Sequence, residues 1–356
     1  MDNSQEINYM RYIIGILAKK LLEKNKKIRD YQINNVCGIG SNGIVLDVTS
    51  LKNGNKYALK ILNVSYYIIK KFNLNKKIYK EELANNLNDI ENNIRNGNYY
   101  LASGDKDVYK NIKSDEELNS FLREYNSLKT LKSNKYCVNL VDYGFLNNND
   151  GYIFPYIVMP YFDGVKLTEY INKKTNSTAD FIDMLNIIEK IIKIIKYIHS
   201  KKIIHRDLHL ENFLYNEENE KIILIDFGTA IYNCDFSVDT VGEIRGSRRL
   251  MSPEQFKNPS ETCYFSDYYF LGSNLFYMLT KKYPYSQNRK IETQPNDIMK
   301  FLNYKVFNQR DIYDKIVYLI NSLIAYNLLN RLKDLNEIEK IIFEIKSMLI
   351  KNKLDR

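Results

Sequence analysis

Apolar residues recur at helical spacing from Ile7 to about residue 27, through Met10, Ile13, Ile14, Leu17 and Leu21, and the run ends in Lys and Asn. This predicts an amphipathic helix packed on the next part of the chain. From Tyr31 the pattern changes to short runs at 31–37, 44–49 and 56–62, separated by turns at residues 38–43 and at Lys52-Asn53-Gly54-Asn55. Such runs predict three consecutive antiparallel strands. Residues 63–113 are polar and partly helical in pattern. Ser114 as N-cap, with Glu117 three residues on, then opens a helix over 117–132 whose inner face carries Phe121, Glu124, Leu128 and Leu131. Further strands are expected at 138–145 and 152–159. After Tyr161-Phe162-Asp163-Gly164 the chain is mostly helical to its end, most clearly at 181–200 and 334–351. The expected fold class is α+β, with a small lobe built on an antiparallel sheet and a larger helical lobe meeting it near residue 162. No repeat of fixed period is present.

Composition narrows the classes. The chain has 356 residues, 44% hydrophobic and 27% charged, the balance of an ordinary soluble protein large enough to bury a core without disulfides or a structural metal. Cys37, Cys137, Cys234 and Cys263 lie far apart with no C-x-x-C pair. That excludes a sequence-local zinc knuckle and a disulfide-dense secreted scaffold, and free thiols in a reducing cytosol are expected. The formal charge is +9, but the lysines are interleaved with acids, and 30 Tyr with no Trp beside abundant Asn, Lys and Ile is the pattern of an AT-rich genome. No specific nucleic-acid partner is expected from such a charge. No apolar stretch reaches the roughly 18 residues of a membrane span. Residues 12–18, flanked by Arg11 and Lys19-Lys20, make a poor signal peptide, so a cytoplasmic protein is expected.

The candidate chemistry begins at Gly38-Ile39-Gly40-Ser41-Asn42-Gly43-Ile44-Val45. A G-x-G-x-x-G that joins two strands does not meet the dinucleotide requirement of opening a helix. It can fold over phosphates, because glycine lets the backbone approach an anion; standing alone it is equally a plain hairpin turn. Lys60 lies inside the apolar strand Tyr57-Ala58-Leu59-Lys60-Ile61. It is either an edge lysine in water or a buried cation in need of an anion, for which Glu124 on the inner face of helix 117–132 is the candidate. The most specific block is Ile204-His205-Arg206-Asp207-Leu208-His209-Leu210-Glu211-Asn212, followed by Ile225-Asp226-Phe227-Gly228. Asp207, Asn212 and Asp226 are hard oxygen ligands and acceptors of the kind that hold Mg²⁺ beside phosphate.

In this order the motifs resemble the eukaryotic-type (Hanks-type) protein kinases, with a bacterial-like catalytic loop, over about residues 31–345. Gly246-Ser247, Ser252-Pro253-Glu254, Asp267 ahead of Gly272, and Arg331 also match, with Ser252 where the family usually has Ala. The resemblance implies a bilobal protein-kinase fold: an N-terminal helical extension at 1–30, a small lobe at 31–162 with an insertion at about 66–112, and a large lobe at 163–356. It implies ATP and Mg²⁺, with Mn²⁺ as an alternative, and transfer of the γ-phosphate to Ser/Thr hydroxyls of proteins, this chain included, that dock near residues 246–254. Lys60 would hold the α- and β-phosphates, fixed by Glu124, under the loop of Gly38, Ile39, Gly40 and Gly43. Asn212 and Asp226 would ligate the metal, and Asp207 would orient the substrate hydroxyl and accept its proton. Val45, Ala58 and Leu214 would sandwich the adenine beside the gatekeeper Met159. The carbonyl of Pro160 and the N–H of Phe162 would bind its edge. Glu254 and Arg331 would form a structural ion pair, and Phe227, His205, Tyr143 and Leu128 an apolar stack, with His205 packed rather than catalytic.

Two features shape the expected regulation. Arg206 beside Asp207 implies a need for an anion on the following loop, supplied by Glu243 or by phosphorylation of Ser237 or Thr240. His209 stands where the family usually has Lys, and would contribute as a cation, as a neutral donor or as packing. A nucleotide-binding pseudokinase is disfavoured by the intact set Lys60, Asp207, Asn212 and Asp226. A small-molecule kinase of the related aminoglycoside or choline type is disfavoured by the peptide-docking segment at 246–254.

Overall fold

The computed structural model describes residues 27–40, 43–62, 102–104, 119–147, 153–175, 177–232, 250–284 and 309–354. The expected helix at 7–27 lies outside the described residues except for Lys27, which is extended rather than helical, and the insertion apart from 102–104 and the loop bearing Ser237, Thr240, Glu243, Gly246 and Ser247 also lie outside them. The chain divides into two compact units, one of residues up to Tyr125 with Asn139–Phe162, the other of Asn126–Val138 with all residues from Asp163.

The first unit is built on a seven-stranded sheet. Its strands are β1 (Lys27–Ile28), β2 (Tyr31–Ile39), β3 (Gly43–Ser50), β4 (Lys56–Leu62), β5 (Ala102–Gly104), β6 (Asp142–Asn147) and β7 (Ile153–Pro160). They run in the order β1-β2-β3-β4-β7-β6-β5 with every neighbouring pair antiparallel. Successive side chains alternate between faces. Ile44, Leu46, Val48, Leu59 and Ile61 therefore share one face, where none is more than 1% exposed. Val45, Ala58 and Lys60 share the other face. Helix α1 (Asn119–Thr130) buries Phe121, Glu124 and Leu128 at one-turn and two-turn spacing.

The strand expected at 138–145 begins only at Asp142, because the chain before it is engaged elsewhere. In the second unit the Val138 amide donates to the Leu224 carbonyl and the Leu224 amide to the Tyr136 carbonyl. Residues 126–138, which the sequence pattern joins to the small lobe, thus cluster with the larger unit.

That unit opens with β8 (Val165–Lys166), α2 (Leu167–Asn172) and α3 (Thr178–Ser200). Ser177 caps α3, accepting from the Asp180 amide at 3.1 Å. The isoleucines of α3, from Ile187 to Ile198, are buried around most of its circumference, as in a central core helix. Then come β9 (Ile203–Ile204), a 3₁₀ turn (Leu210–Asn212), β10 (Phe213–Asn216), β11 (Lys221–Leu224) and β12 (Ile231–Tyr232). They form a three-stranded sheet β11-β10-β8 and a two-stranded one β12-β9.

Among the described residues, helices α4 (Pro253–Lys257), α5 (Tyr264–Thr280), α6 (Arg310–Leu323) and α7 (Leu335–Leu354) follow in this unit. A Cβ at Gly272 would lie 2.5 Å from the Leu323 Cβ, so glycine is what permits α5 and α6 to approach. Ion pairs Lys196–Glu339 at 2.6 Å and Lys346–Glu189 at 2.8 Å join α3 to α7. Among the described residues no helix is long and apolar enough to cross a membrane.

Candidate active site

In the first unit the glycine motif is the β2–β3 hairpin. Gly38 pairs with Val45 and Ile39 with Ile44, and the Gly40 amide donates to the Gly43 carbonyl at 2.9 Å. Ser41 and Asn42 lie outside the described residues. A Cβ on Gly43 would sit 2.0 Å from the Ile61 carbonyl oxygen. Glycine is thus required there by the approach of β4, before any phosphate is considered.

Sheet register carries the rest of this face. Val45 opposes Lys60, Ala58 opposes Met159, and Lys60 opposes Ile157, so Gly38, Val45, Ala58, Lys60 and Met159 project to one side. The Lys60 ammonium lies 2.9 Å and 2.8 Å from the two Glu124 carboxylate oxygens. Glu124 is fully buried and Lys60 nearly so, so the cation in an apolar strand is there because an acid on α1 receives it. Pro160, exposed at the end of β7, has no N–H to lose, and the next amide, of Tyr161, reaches the Lys56 carbonyl at 3.4 Å. Phe162 follows, half-buried.

In the second unit the segment 205–209 is irregular, and side chains hold it. Asp267 on α5 accepts from the His205 and Arg206 amides, both at 2.9 Å, and from His199 Nε2 at 2.8 Å. Arg206 has φ +68°, a left-handed conformation costing a non-glycine residue about 1–2 kcal/mol. Its guanidinium Nε donates to the Thr229 carbonyl, while Thr229 Oγ1 donates to the His205 carbonyl at 2.9 Å.

The Asp207 carbonyl accepts from Asn212 Nδ2 at 2.7 Å, and Asp207 Oδ2 lies 3.3 Å from His209 Nε2. Asp207 Oδ1 is buried and has no hydrogen-bond donor among the described residues. Burial would lower the His209 pKa, but the Asp207 carboxylate, aided by Glu211 and Asp226, outweighs it and raises the imidazole above its ordinary value. His209 is therefore held toward the cation.

Asn212 and Asp226 are tied through the backbone, the Ile225 amide donating to the Asn212 carbonyl at 2.8 Å. Asp226 has φ +65° and accepts from the Gly228 amide at 3.0 Å. The Nδ2 of Asn212 is spent on Asp207, which leaves its Oδ1 for a ligand. Among the described residues there is no cluster of three His, Cys, Asp or Glu suited to a metal. An amide and a carboxylate oxygen nevertheless fit Mg²⁺, which takes one or two protein oxygens and completes its shell with phosphates and water.

His205 is packed, as the sequence suggests. It is fully buried with its ring 4.9 Å from that of Phe227, and neither ring nitrogen has a hydrogen-bond partner among the described residues. Burial lowers its pKa despite Asp267, Asp207 and Asp226, which favours the neutral ring. Leu128 and Phe227 are fully buried, while Tyr143 lies in the first unit with its ring 4.7 Å from that of Tyr125. Leu214 pairs with Lys166 and Ile223 in the three-stranded sheet. Glu254 and Arg331 form a bidentate pair at 2.6 Å and 2.9 Å. Two side chains outside the sequence motifs, Gln255 and Asn274, also reach the Asp207 segment; Asn274 is marked in the sequence only as a polar residue in a largely apolar helical run, and Gln255, in Pro253-Glu254-Gln255-Phe256-Lys257, carries no such mark.

The protein kinase domain model matches residues 95–342. A probable serine/threonine-protein kinase of Clostridium perfringens is 29% identical over 219 residues, 62% of this chain and 30% of that protein. Serine/threonine-protein kinase PrkC of Bacillus subtilis is 33% identical over 171 residues, 48% of this chain and 25% of that protein. The chain thus spans less than a third of the length of these relatives. The kinase domain of Mycobacterium tuberculosis PknI superposes with a TM-score of 0.55 at 14% identity, covering 90% of this chain and 97% of that one. At that identity the likeness establishes the fold.

Proposed function

The chain belongs to the protein kinase family, and we propose that it is an ATP-dependent serine/threonine kinase that phosphorylates proteins, itself included, in the cytoplasm. The observation that carries the reading is Asp207, whose half-buried carboxylate is flanked by His209 and has one oxygen, the buried Oδ1, lacking a donor among the described residues. A substrate hydroxyl is one group that can supply such a donor.

Phosphoryl transfer asks for positioning and charge stabilisation more than for covalent catalysis. Lys60, held by Glu124, binds the α- and β-phosphates, and the hairpin of Gly38, Ile39, Gly40 and Gly43 covers them. Asn212 and Asp226 would hold a divalent cation, which when bound would supply positive charge beside the phosphates. Asp207 Oδ1 accepts the hydrogen of the substrate hydroxyl, orients its oxygen and takes the proton as transfer proceeds. Val45, Ala58, Met159, Pro160, Phe162 and Leu214 form the adenine contacts. Protein substrates dock near residues 246–254. A cytoplasmic location agrees with the free thiols of Cys37, Cys137 and Cys263 and with the absence of a membrane-spanning helix among the described residues.

The test is transfer of the labelled γ-phosphate of ATP with Mg²⁺ to protein acceptors and to the chain itself, with phosphosites mapped. Serine and threonine phosphorylation is expected, and Asp207→Asn should reduce it at least about a hundredfold, the least a well-placed general base contributes. Transfer to tyrosine alone, or an Asp207→Asn variant as active as the parent, would sink the reading.

His209 is proposed to act as a cation beside Asp207, replacing the usual lysine. His209→Lys should then retain turnover, whereas His209→Gln, a neutral donor, should lose about tenfold, as removal of a charge-assisted contact of roughly 1.5–3 kcal/mol implies. Equal turnover for the two variants would reduce His209 to packing.

A further inference from the structure

We propose that Gln255 and Asn274 are positioning residues that lock the backbone on both sides of Asp207. Three consecutive carbonyl oxygens in this irregular segment each accept from a side-chain carboxamide. The Arg206 carbonyl takes Gln255 Nε2 at 3.0 Å, the Asp207 carbonyl takes Asn212 Nδ2 at 2.7 Å, and the Leu208 carbonyl takes Asn274 Nδ2 at 2.7 Å. The two amides just before them, of His205 and Arg206, are taken by Asp267. Asp207 therefore sits in a stretch whose peptide groups are bound one after another by groups on α4, α5 and the 3₁₀ turn.

Each donor is itself fixed. Gln255 is 4% exposed, and its Oε1 accepts from Ser252 Oγ at 2.9 Å, which sets the amide orientation with Nε2 toward Arg206. Asn274 is 1% exposed on α5, in a run with Phe270, Leu271, Leu275 and Phe276. A buried carboxamide among such residues is costly unless it is hydrogen-bonded, and Asn274 meets that need at the Leu208 carbonyl.

The lock has a mechanical reason. Arg206 is held left-handed at φ +68°, and a strained conformation persists only where its surroundings over-determine it. Asp267 grips the amide of Arg206 and Gln255 its carbonyl, so both peptide groups of the strained residue are anchored to helices. Asn274 then sets the peptide beyond Asp207, so that the carboxylate is aimed from both ends.

The effect on turnover rests on the kinase reading, whereas the lock itself does not, and the experiment separates them. In the full chain, Gln255→Met and Asn274→Leu keep side-chain bulk and remove the donor. Turnover number and KM for ATP, thermal melting, and hydrogen exchange of the amides at 205–210 are measured for each.

The expected result is a turnover number lowered about tenfold or more, as small misplacement of a catalytic group implies. KM for ATP should stay within about twofold, because the phosphate-binding groups are elsewhere. Melting should remain cooperative, and exchange at 205–210 should accelerate. Folded variants with parental turnover and exchange would overturn the proposal. A collapse of melting, KM and turnover together in both variants would also overturn it, as a plain stability role. If Asn274→Leu does not fold, Gln255→Met and Gln255→Glu decide. If the parent transfers no phosphate, the kinase reading fails and the exchange measurement alone decides the lock.

Discussion

Replacing Lys60 with methionine is expected to lower phosphoryl transfer by at least about a hundredfold, the scale on which a single pre-organised charge stabilises a transition state. The same substitution removes the ammonium that lies 2.8 Å from the fully buried Glu124 carboxylate. Taking one partner from a buried pair costs roughly 3–5 kcal/mol, because the remaining charge has been stripped of water without its compensation. Lys60 keeps 12% of its side-chain surface exposed, so the lower end of that range applies. The two effects separate in the double variant Lys60→Met, Glu124→Gln. Its neutral amide can be buried at less cost, so melting should recover while transfer stays lost. Recovery of transfer in the double variant would show that Lys60 serves folding alone.

Arg331→Met is expected to destabilise the larger unit by about 3–5 kcal/mol, or roughly 6–20 °C in melting for a unit of about 200 residues. The Arg331 side chain is fully buried and donates to both Glu254 oxygens and to the Phe265 and Ala325 carbonyls, while Ser266 Oγ donates to Glu254 at 2.7 Å. Burial alone would raise the Glu254 pKa, yet the Arg331 hydrogen bonds and charge, with Ser266, bring it below its ordinary value. A carboxylate depressed in the folded state contributes stability that is complete above its unfolded pKa, about 4.3, and is lost as pH falls through the folded value. In Arg331→Met the sign reverses, because burial without the guanidinium favours the protonated acid. The stability gap between the parent and the variant should therefore narrow as pH falls below neutrality. A gap that is constant with pH, measured by denaturant unfolding, would mean that Glu254 is not charged in the folded parent.

Much of the architecture was legible because local periodicity reports burial. The runs at 31–37, 44–49 and 56–62 alternate as half-buried strands do, and β2, β3 and β4 fall on them. The apolar run at 181–200 is α3, extended backward three residues to the point where Ser177 caps it. Lys60 announced itself in the same way, since an ammonium in an apolar strand calls for an acid, and Glu124 was the acid on the inward face of the next helix. The strand at 138–145 failed by four residues at its start for a reason outside its own sequence, the capture of Val138 by Leu224.

What the sequence determined by itself was the set of groups: a glycine hairpin, a buried lysine and its acid, and an Asp-Asn-Asp series of hard oxygens, each marked by a residue whose type conflicts with its local surroundings. What only the tertiary structure decided was how those groups are held. The backbone approach that makes Gly43 obligatory, the anchoring of His205 and Arg206 on Asp267, and the carboxamides of Gln255 and Asn274 beside Asp207 join residues roughly 20 to 70 positions apart. Hydrogen-bond geometry is set over about 3 Å in space, and separation along the chain leaves no periodic trace of it.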